Sequence, residues 1–221
     1  MSNFLTLCQE FRSKAGIAGT GPASVVSQTG EYGRLVTWVR DTWLKIQNEP
    51  YDWKWMWDEY SLDVTTGINI YVLTNVEKIH KKTFTYYSVA DGVTARVKLK
   101  YIDWETYQKT YPLTTDTPSN PEIITQKPNG QVKIFPTPDA DYTVEFEYQS
   151  EPQTLSANAD EPDMPPKFHE IILYLALIDH GGFEEASEVY IFATNQYNSY
   201  FKSLLWKQEL KTDEAETVRV E

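Results

Sequence analysis

Apolar residues change their spacing twice along this chain, and that change restricts the fold more than any other feature. Near both ends they recur at steps of three and four residues, as in amphipathic helices. Between residues 61 and 150 they alternate instead, as in strands with one buried face. We therefore predict an α+β fold in which N-terminal helices and a C-terminal helical hairpin form a bundle. A central antiparallel β-rich excursion interrupts this bundle, and an extended C-terminal tail follows it.

The helical pattern is clearest over residues 31–47, where large apolar side chains fall on one face. A shorter helix is predicted over residues 2–15, with Ser2 as its candidate cap. In the C-terminal hairpin, Gly181 and Gly182 are predicted to end the first helix, because glycine is common just past helix ends.

A polar, proline-rich stretch over residues 151–166 separates the β-rich region from the C-terminal helices. This composition is typical of a connector without regular structure. The predicted domains are a helical bundle over 1–48 plus 165–208, a β-rich insertion over 49–164 and a flexible C-terminal arm over 209–221.

Three further elements are predicted inside the β-rich region. Asn129 and Gly130 follow a proline between two alternating runs, which predicts a hairpin over residues 122–136. The alternation continues over residues 142–148 as one more strand. Residues 103–110 have the spacing of one or two helical turns.

Tryptophans occupy the alternate positions 53, 55 and 57, which predicts a strand with one aromatic face. Core packing is the favoured interpretation for these rings, and also for Trp38 and Trp43 in the helix over 31–47. Burial against a neighbouring subunit is the second interpretation. Exposed rings would instead stack on sugars, which leaves a carbohydrate-binding module open.

The formal net charge is -12, from 32 acidic and 20 basic residues. This balance opposes tight binding of DNA, which depends on basic side chains that displace counterions. The same sign suits a surface past which DNA slides without adhering. No apolar stretch approaches the roughly 20 residues that a bilayer span requires, so we expect no membrane partner.

We predict no catalytic, cofactor or metal site, and therefore a non-enzymatic protein. A phosphate-binding GxxxxGK loop and the zinc motif HExxH are both absent from the sequence. The acidic residues near Asp139 and Asp160 lie in proline-bearing loops, where solvated turn residues are more common than cation ligands. Cys8 lies among apolar residues and is predicted to be a buried thiol.

A run of residues in the N-terminal part of the chain resembles bacteriophage head-to-tail adaptor proteins. The residues that carry the resemblance are Val25, Val26, Gln28, Thr29, Gly30, Glu31, Arg34, Leu35, Val36, Trp38, Val39, Trp43, Ile46 and Gln47, followed by Asp52 and Trp53. The remaining layout is similar too, with a β-rich excursion, a C-terminal helical pair and a charged tail.

The resemblance implies a homo-oligomeric ring, dodecameric in that family, that docks under the portal protein in the virion neck. It further implies a tail or nozzle protein on the other side, double-stranded DNA passing through without specific binding, and assembly in the host cytoplasm. The candidate subunit or portal contacts are Leu35, Trp38, Val39, Trp43, Trp53, Trp55, Thr217, Val218, Arg219, Val220 and Glu221.

Three other functions remain as alternatives. The first is a tail-completion or nozzle protein, which would share the structural role but not the position. The second is the aromatic-rich carbohydrate-binding module. The third is an enzyme with a metal site built on Asp160 and Asp163.

Overall fold

The computed structural model describes residues 2–111 and 116–209. The chain divides into two compact units, which we call the helical unit (Met1–Met56 with Pro152–Glu221) and the β unit (Trp57–Glu151). Within the described residues there are five α-helices and two sheets. The predicted α+β class is therefore confirmed.

Four of the five α-helices belong to the helical unit, and the third belongs to the β unit. The helices are α1 (Phe4–Lys14), α2 (Gly30–Gln47), α3 (Trp104–Thr110), α4 (Glu170–Phe183) and α5 (Ser187–Gln208). The short α3 confirms the helical turns predicted over residues 103–110.

The first helix begins one residue later than the sequence suggested. Asn3, and not Ser2, is the N-cap of α1: its Oδ1 accepts a hydrogen bond from the Thr6 backbone N–H at 2.9 Å. The Phe4 N–H, which has no partner inside the helix, donates to the carbonyl of Asp160 at 2.7 Å. The start of α1 is therefore held by the connector over residues 151–166 as well as by its own cap.

The core of the helical unit receives side chains from α1, α2 and α4, while α5 adds only two fully buried residues. Its largest fully buried members are Trp43, Trp53, Phe4, Phe11, Leu7, Leu35 and Ile46. Helix α4 is buried on most of its surface, as expected of a helix that is apolar on nearly all sides. Packing of these apolar surfaces is the main stabilising contribution in this unit.

Gly181 and Gly182 do not end α4, which continues through both of them to Phe183. The prediction that they stop the helix is therefore wrong. Gly181 has a packing reason instead: a Cβ on this residue would lie 2.9 Å from the backbone nitrogen of Tyr190 in α5. Only a residue without a side chain permits this close approach of the two helices.

The alternating tryptophans do not form a strand. Residues Lys54–Met56 form one 3-10 turn, and only Trp57 lies in a strand. The rings of Trp53 and Trp55 stack with centroids 4.5 Å apart, and the Trp53 Nε1–H donates to the carbonyl of Ile46 at 3.0 Å. Alternation misleads here because both rings pack on α2: Trp55 stacks on Trp43 with centroids 6.3 Å apart, and Trp53 binds the carbonyl of Ile46.

The β unit contains a five-stranded and a four-stranded sheet. The first consists of β1 (Trp57–Val64), β3 (Val76–Ile79), β4 (Thr85–Ser88), β5 (Val97–Lys98) and β9 (Tyr142–Ser150); the second consists of β2 (Ile70–Tyr71), β6 (Lys100–Tyr101), β7 (Ile123–Gln126) and β8 (Val132–Phe135). Strand β9 is central, since it pairs with β1 along its whole length except its last residue and with β3 and β4 on its other edge.

The predicted hairpin over residues 122–136 is confirmed by the antiparallel pair β7–β8. Gly130 has a φ of 83°, a left-handed conformation that glycine adopts without strain. Strand β6, however, pairs with β7 in parallel, so the second sheet is mixed and not purely antiparallel as predicted. The physical reason is the connection: the chain passes through α3 between β6 and β7, and such a crossover returns the strand in the same direction.

Candidate functional site

Leu35, Val39, Trp43 and Trp53, four of the predicted contact residues, lie inside the helical unit. All four are fully shielded from solvent by the chain's own core. The Trp43 Nε1–H also donates to Oε1 of Gln153 at 3.0 Å, so its polar atom is satisfied internally. Their role in a subunit contact stays a prediction.

Trp38 and Trp55 are only partly buried. Trp38 packs edge-on against Phe183 with ring centroids 5.6 Å apart, while Trp55 stacks between Trp43 and Trp53. The stacked Trp53 and Trp55 rings therefore form no open platform of the kind that the carbohydrate-binding alternative requires. The other predicted contacts, Thr217, Val218, Arg219, Val220 and Glu221, lie outside the described residues.

An exposed apolar surface lies where α4 ends and α5 begins. Its aromatic and aliphatic members, Phe183, Tyr190, Ile191 and Phe192, are each between 43% and 60% exposed. The exposed carboxylates around them belong to Glu184, Glu185 and Glu188. We call these seven residues the aromatic-acidic patch. A shallow cavity of about 410 Å³ opens beside Tyr190 and Ile191.

A second exposed apolar residue lies at the opposite end of α5. Trp206 is 79% exposed, and the lysines Lys202 and Lys207 beside it are exposed too. Lys54 adds a further positive charge, since its Nζ donates to the carbonyl of Lys207 at 3.0 Å. We call Lys202, Trp206 and Lys207 the Trp206 patch. Large exposed apolar side chains rimmed by charge are typical of protein contact surfaces.

Sequence periodicity missed both patches, although a signal was present. In the sequence of α5, Tyr190, Ala193, Tyr197 and Leu204 recur at helical spacing, and Ile191 and Phe192 fall beside this stripe. Two consecutive large apolar residues outside the buried stripe of a helix indicate a second contact surface.

One face of the five-stranded sheet in the β unit carries carboxylates. Glu59 of β1 lies directly opposite Glu147 of β9, and Glu145 lies on the same face. Like charges directly opposite one another destabilise a strand pair, so this arrangement opposes local stability. Arg96, which forms an ion pair with Glu145, offsets part of this charge. A cavity of about 260 Å³ lies between these side chains.

The carboxylate of Asp160 is used to hold the backbone of its own loop. The Asp160 carboxylate accepts hydrogen bonds from the N–H groups of Ser156 and Ala157, both at 2.7 Å, and these lower its pKa. Asp163 is exposed as a whole residue, but partial desolvation of its carboxyl group raises its pKa. Over the described parts of the chain, no three Asp, Glu, His or Cys side chains converge as a metal site requires. Burial raises the pKa of the Cys8 thiol to about 12, which suppresses its nucleophilic form.

We expect the pKa of Asp160 to lie below, and the pKa of Asp163 to lie above, the ordinary aspartate value of 3.8. Stability from the Asp160 hydrogen bonds is present above that value and is lost as pH falls through its lowered pKa. Asp163 behaves oppositely, since its contribution is lost as pH rises through its raised pKa. Carboxyl-carbon NMR titration checks the order; equal pKa values, or a higher value for Asp160, would contradict it. Asp160→Asn should therefore destabilise the protein less at pH 3 than at neutral pH.

The sequence matches the family model described as SU10 adaptor protein over residues 2–220. The chain belongs to this family of phage head-to-tail adaptors. The comparison with curated proteins found no match. Membership makes the SU10-type adaptor a structural component of a phage particle that interacts with other head or tail proteins. None of the adaptor's described helices is both long and apolar enough to span a bilayer.

Proposed function

We propose that this adaptor assembles into a ring beneath the portal, joins the portal to the tail and leaves an open channel for DNA. The observation that carries the proposal is the family match over residues 2–220. In the proposal the ring is a dodecamer, and its partners are the portal protein on one side and a tail or nozzle protein on the other. It resides in the virion neck after assembly in the host cytoplasm.

The helical unit supplies the body of the proposed ring. Helix α4 contacts α1, α2 and α5, which supports a bundle in which α4 and α5 form the predicted helical hairpin. We propose that these bundles lie side by side around the ring axis. Among the predicted contact residues that the structure describes, Trp38 and Trp55 are only partly buried. Their exposed surface is available to a neighbouring subunit.

Acidic charge supports a channel that DNA crosses without adhering. The chain carries a net charge of -12, and carboxylates of Glu59, Glu145 and Glu147 gather on one sheet face of the β unit. A lining with an excess of carboxylates repels phosphates and so opposes the displacement of their counterions by the protein. In the proposal, part of this acidic surface faces the DNA.

The first test is to mix the purified full-length chain with its cognate portal and to weigh the product by native mass spectrometry. We expect a complex with one adaptor for each portal subunit. A variant lacking residues 210–221 keeps α5 and the Trp53–Glu209 bridge. We expect it to remain folded by circular dichroism but to lose portal binding, because the C-terminal arm is proposed to contact the portal.

Each other outcome revises a specific part of the proposal. Equal binding by the shortened variant would remove the arm from the portal contact. No association of the full-length chain with the portal at any salt concentration would contradict the adaptor position. Binding to isolated tails alone would then favour a tail-completion or nozzle protein.

A further inference from the structure

We infer that two copies of this chain meet through opposite ends of α5, the aromatic-acidic patch of one copy binding the Trp206 patch of the next. The inference rests on the proposed ring in one respect, namely that copies contact each other. It goes beyond the ring by naming the two surfaces and the chemistry of their contact.

The two patches are complementary in charge. The first patch contains the exposed carboxylates of Glu184, Glu185 and Glu188, whereas the second contains the exposed lysines Lys202 and Lys207. Charges of the opposite sign also lie beside the patches: Arg34 lies 5.3 Å from the Phe183 ring, and Glu209 follows α5. Among the described side chains that form the two patches, the excess is nevertheless negative at the first and positive at the second. Complementary potentials accelerate encounter and fix the orientation of two surfaces.

The apolar groups are complementary as well. Ile191 lines a shallow cavity of about 410 Å³, the exposed Phe192 follows it in the chain, and the Trp206 ring of the other patch is 79% exposed. Tryptophan is among the residues that contribute most to binding when a contact surface covers it. Docking of the Trp206 ring on Ile191 and Phe192 would remove apolar surface of both patches from water.

The two patches cannot meet within one copy. Phe192 and Trp206 are 14 positions apart on the continuous helix α5, which corresponds to about 21 Å along its axis. Polar residues occupy the exposed side between them, namely Asn195, Asn198 and Ser199. Contact between the patches therefore requires a second molecule. A second copy of this chain fits, because every copy carries both patches.

Such a contact has a consequence for assembly. Because the two patches differ, a copy that binds one neighbour through its first patch still offers its second patch to another. A contact of this type propagates from copy to copy until the rotation between neighbours closes a ring. It thus supplies the kind of interface that the proposed function requires.

Cross-linking tests the contact directly. Ser187→Cys places a thiol one turn before Ile191, and Ser203→Cys places one a turn before Trp206, so both patches remain intact. With a short bis-maleimide linker, we expect a covalent dimer from the mixture of the two variants and little from either alone. Asp41→Cys, exposed on α2 and outside both patches, is the matched control and should not link to Ser187→Cys. Native Cys8 is fully buried and will not compete.

Charge reversal provides the decisive comparison in the same assay. Glu184→Lys with Glu188→Lys, or Lys202→Glu with Lys207→Glu, should each lower the yield of linked product about tenfold. An equimolar mixture of the two reversed proteins should restore the yield, because each reversed patch then faces its complement. These residues are exposed, and circular dichroism checks that the variants fold.

Several outcomes would overturn the inference. These are no linked product from the Ser187→Cys and Ser203→Cys mixture, efficient linkage to Asp41→Cys, or no recovery on mixing the reversed proteins. A chain carrying both cysteines should give a ladder of products. If the ladder stops at the dimer, the contact stands but the ring is contradicted. If linking fails while the portal experiment still yields a ring, the proposed function is supported and the contact between the two patches is contradicted.

Discussion

Replacing Trp43 by alanine is expected to lower the free energy of unfolding by about 3–5 kcal/mol. The side chain is fully buried, its ring stacks against Trp55 with centroids 6.3 Å apart, and its Nε1–H donates to Gln153. Truncation would leave a cavity in the core of the helical unit and would leave the Gln153 oxygen without this donor. Urea unfolding followed by far-UV circular dichroism measures the loss.

The matched control is Trp206→Ala, which removes the same ring from a site that is 79% exposed. We expect that change to alter stability by no more than about 0.5 kcal/mol. If alanine at position 43 prevents folding, Trp43→Phe keeps part of the ring volume and should still cost more than Trp206→Ala. Similar losses at positions 43 and 206 would refute the assignment of Trp43 to the core.

A second large effect is expected at Gly181, where alanine should lower the free energy of unfolding by about 1–3 kcal/mol. The added Cβ would meet the Tyr190 backbone nitrogen at 2.9 Å and its Cα at 3.1 Å. Backbone atoms of α5 cannot move aside as a flexible side chain can, so α4 and α5 must separate. Thermal or urea unfolding of the purified variant checks this expectation.

The neighbouring glycine supplies an unusually close control. A Cβ added at Gly182 meets nothing within 4 Å, and the residue lies in the same helix. Gly182→Ala should therefore raise stability by up to about 1 kcal/mol, as glycine-to-alanine changes do in open helical positions. If both variants are stabilised, the close approach of α4 and α5 at Gly181 is wrong.

The patch inference and these stability predictions concern different side chains of one unit. Trp43 and Gly181 support the internal packing on which both patches depend, whereas the side chains of Ile191 and Trp206 are 60% and 79% exposed. Variants of the patches should thus change association without changing the unfolding transition, and variants of the core should change the unfolding transition first. Measuring both quantities for every variant separates loss of contact from loss of fold.

The sequence predicted well wherever a long periodic segment or a specific turn was present. Helix α2, the β7–β8 hairpin around Gly130 and strand β9 all appear where their patterns indicated. These signals are local, because the spacing of side chains on a helix or strand is a property of the backbone geometry itself. The family resemblance found on residues 25–53 is confirmed by the match over residues 2–220.

Short-range patterns failed where a distant contact decided the outcome. Alternation at Trp53 and Trp55 predicted a strand, but contacts of these rings with Trp43 and Ile46 of α2 hold the segment in a 3-10 turn. The glycines near the end of α4 predicted a stop, but Gly181 is needed for the approach of α5. The parallel pairing of β6 with β7 likewise depends on how the chain crosses over through α3.

By itself the sequence determined the α+β class, the positions of the main helices and strands, and the acidic charge, because periodicity and composition are local properties of the chain. Only the tertiary structure decided which apolar side chains are covered. Trp43 and Trp206 are chemically the same, yet one is fully buried and the other largely exposed. A helical pattern indicates the direction in which each points, but burial depends on which other elements pack there, and long-range contacts set that arrangement.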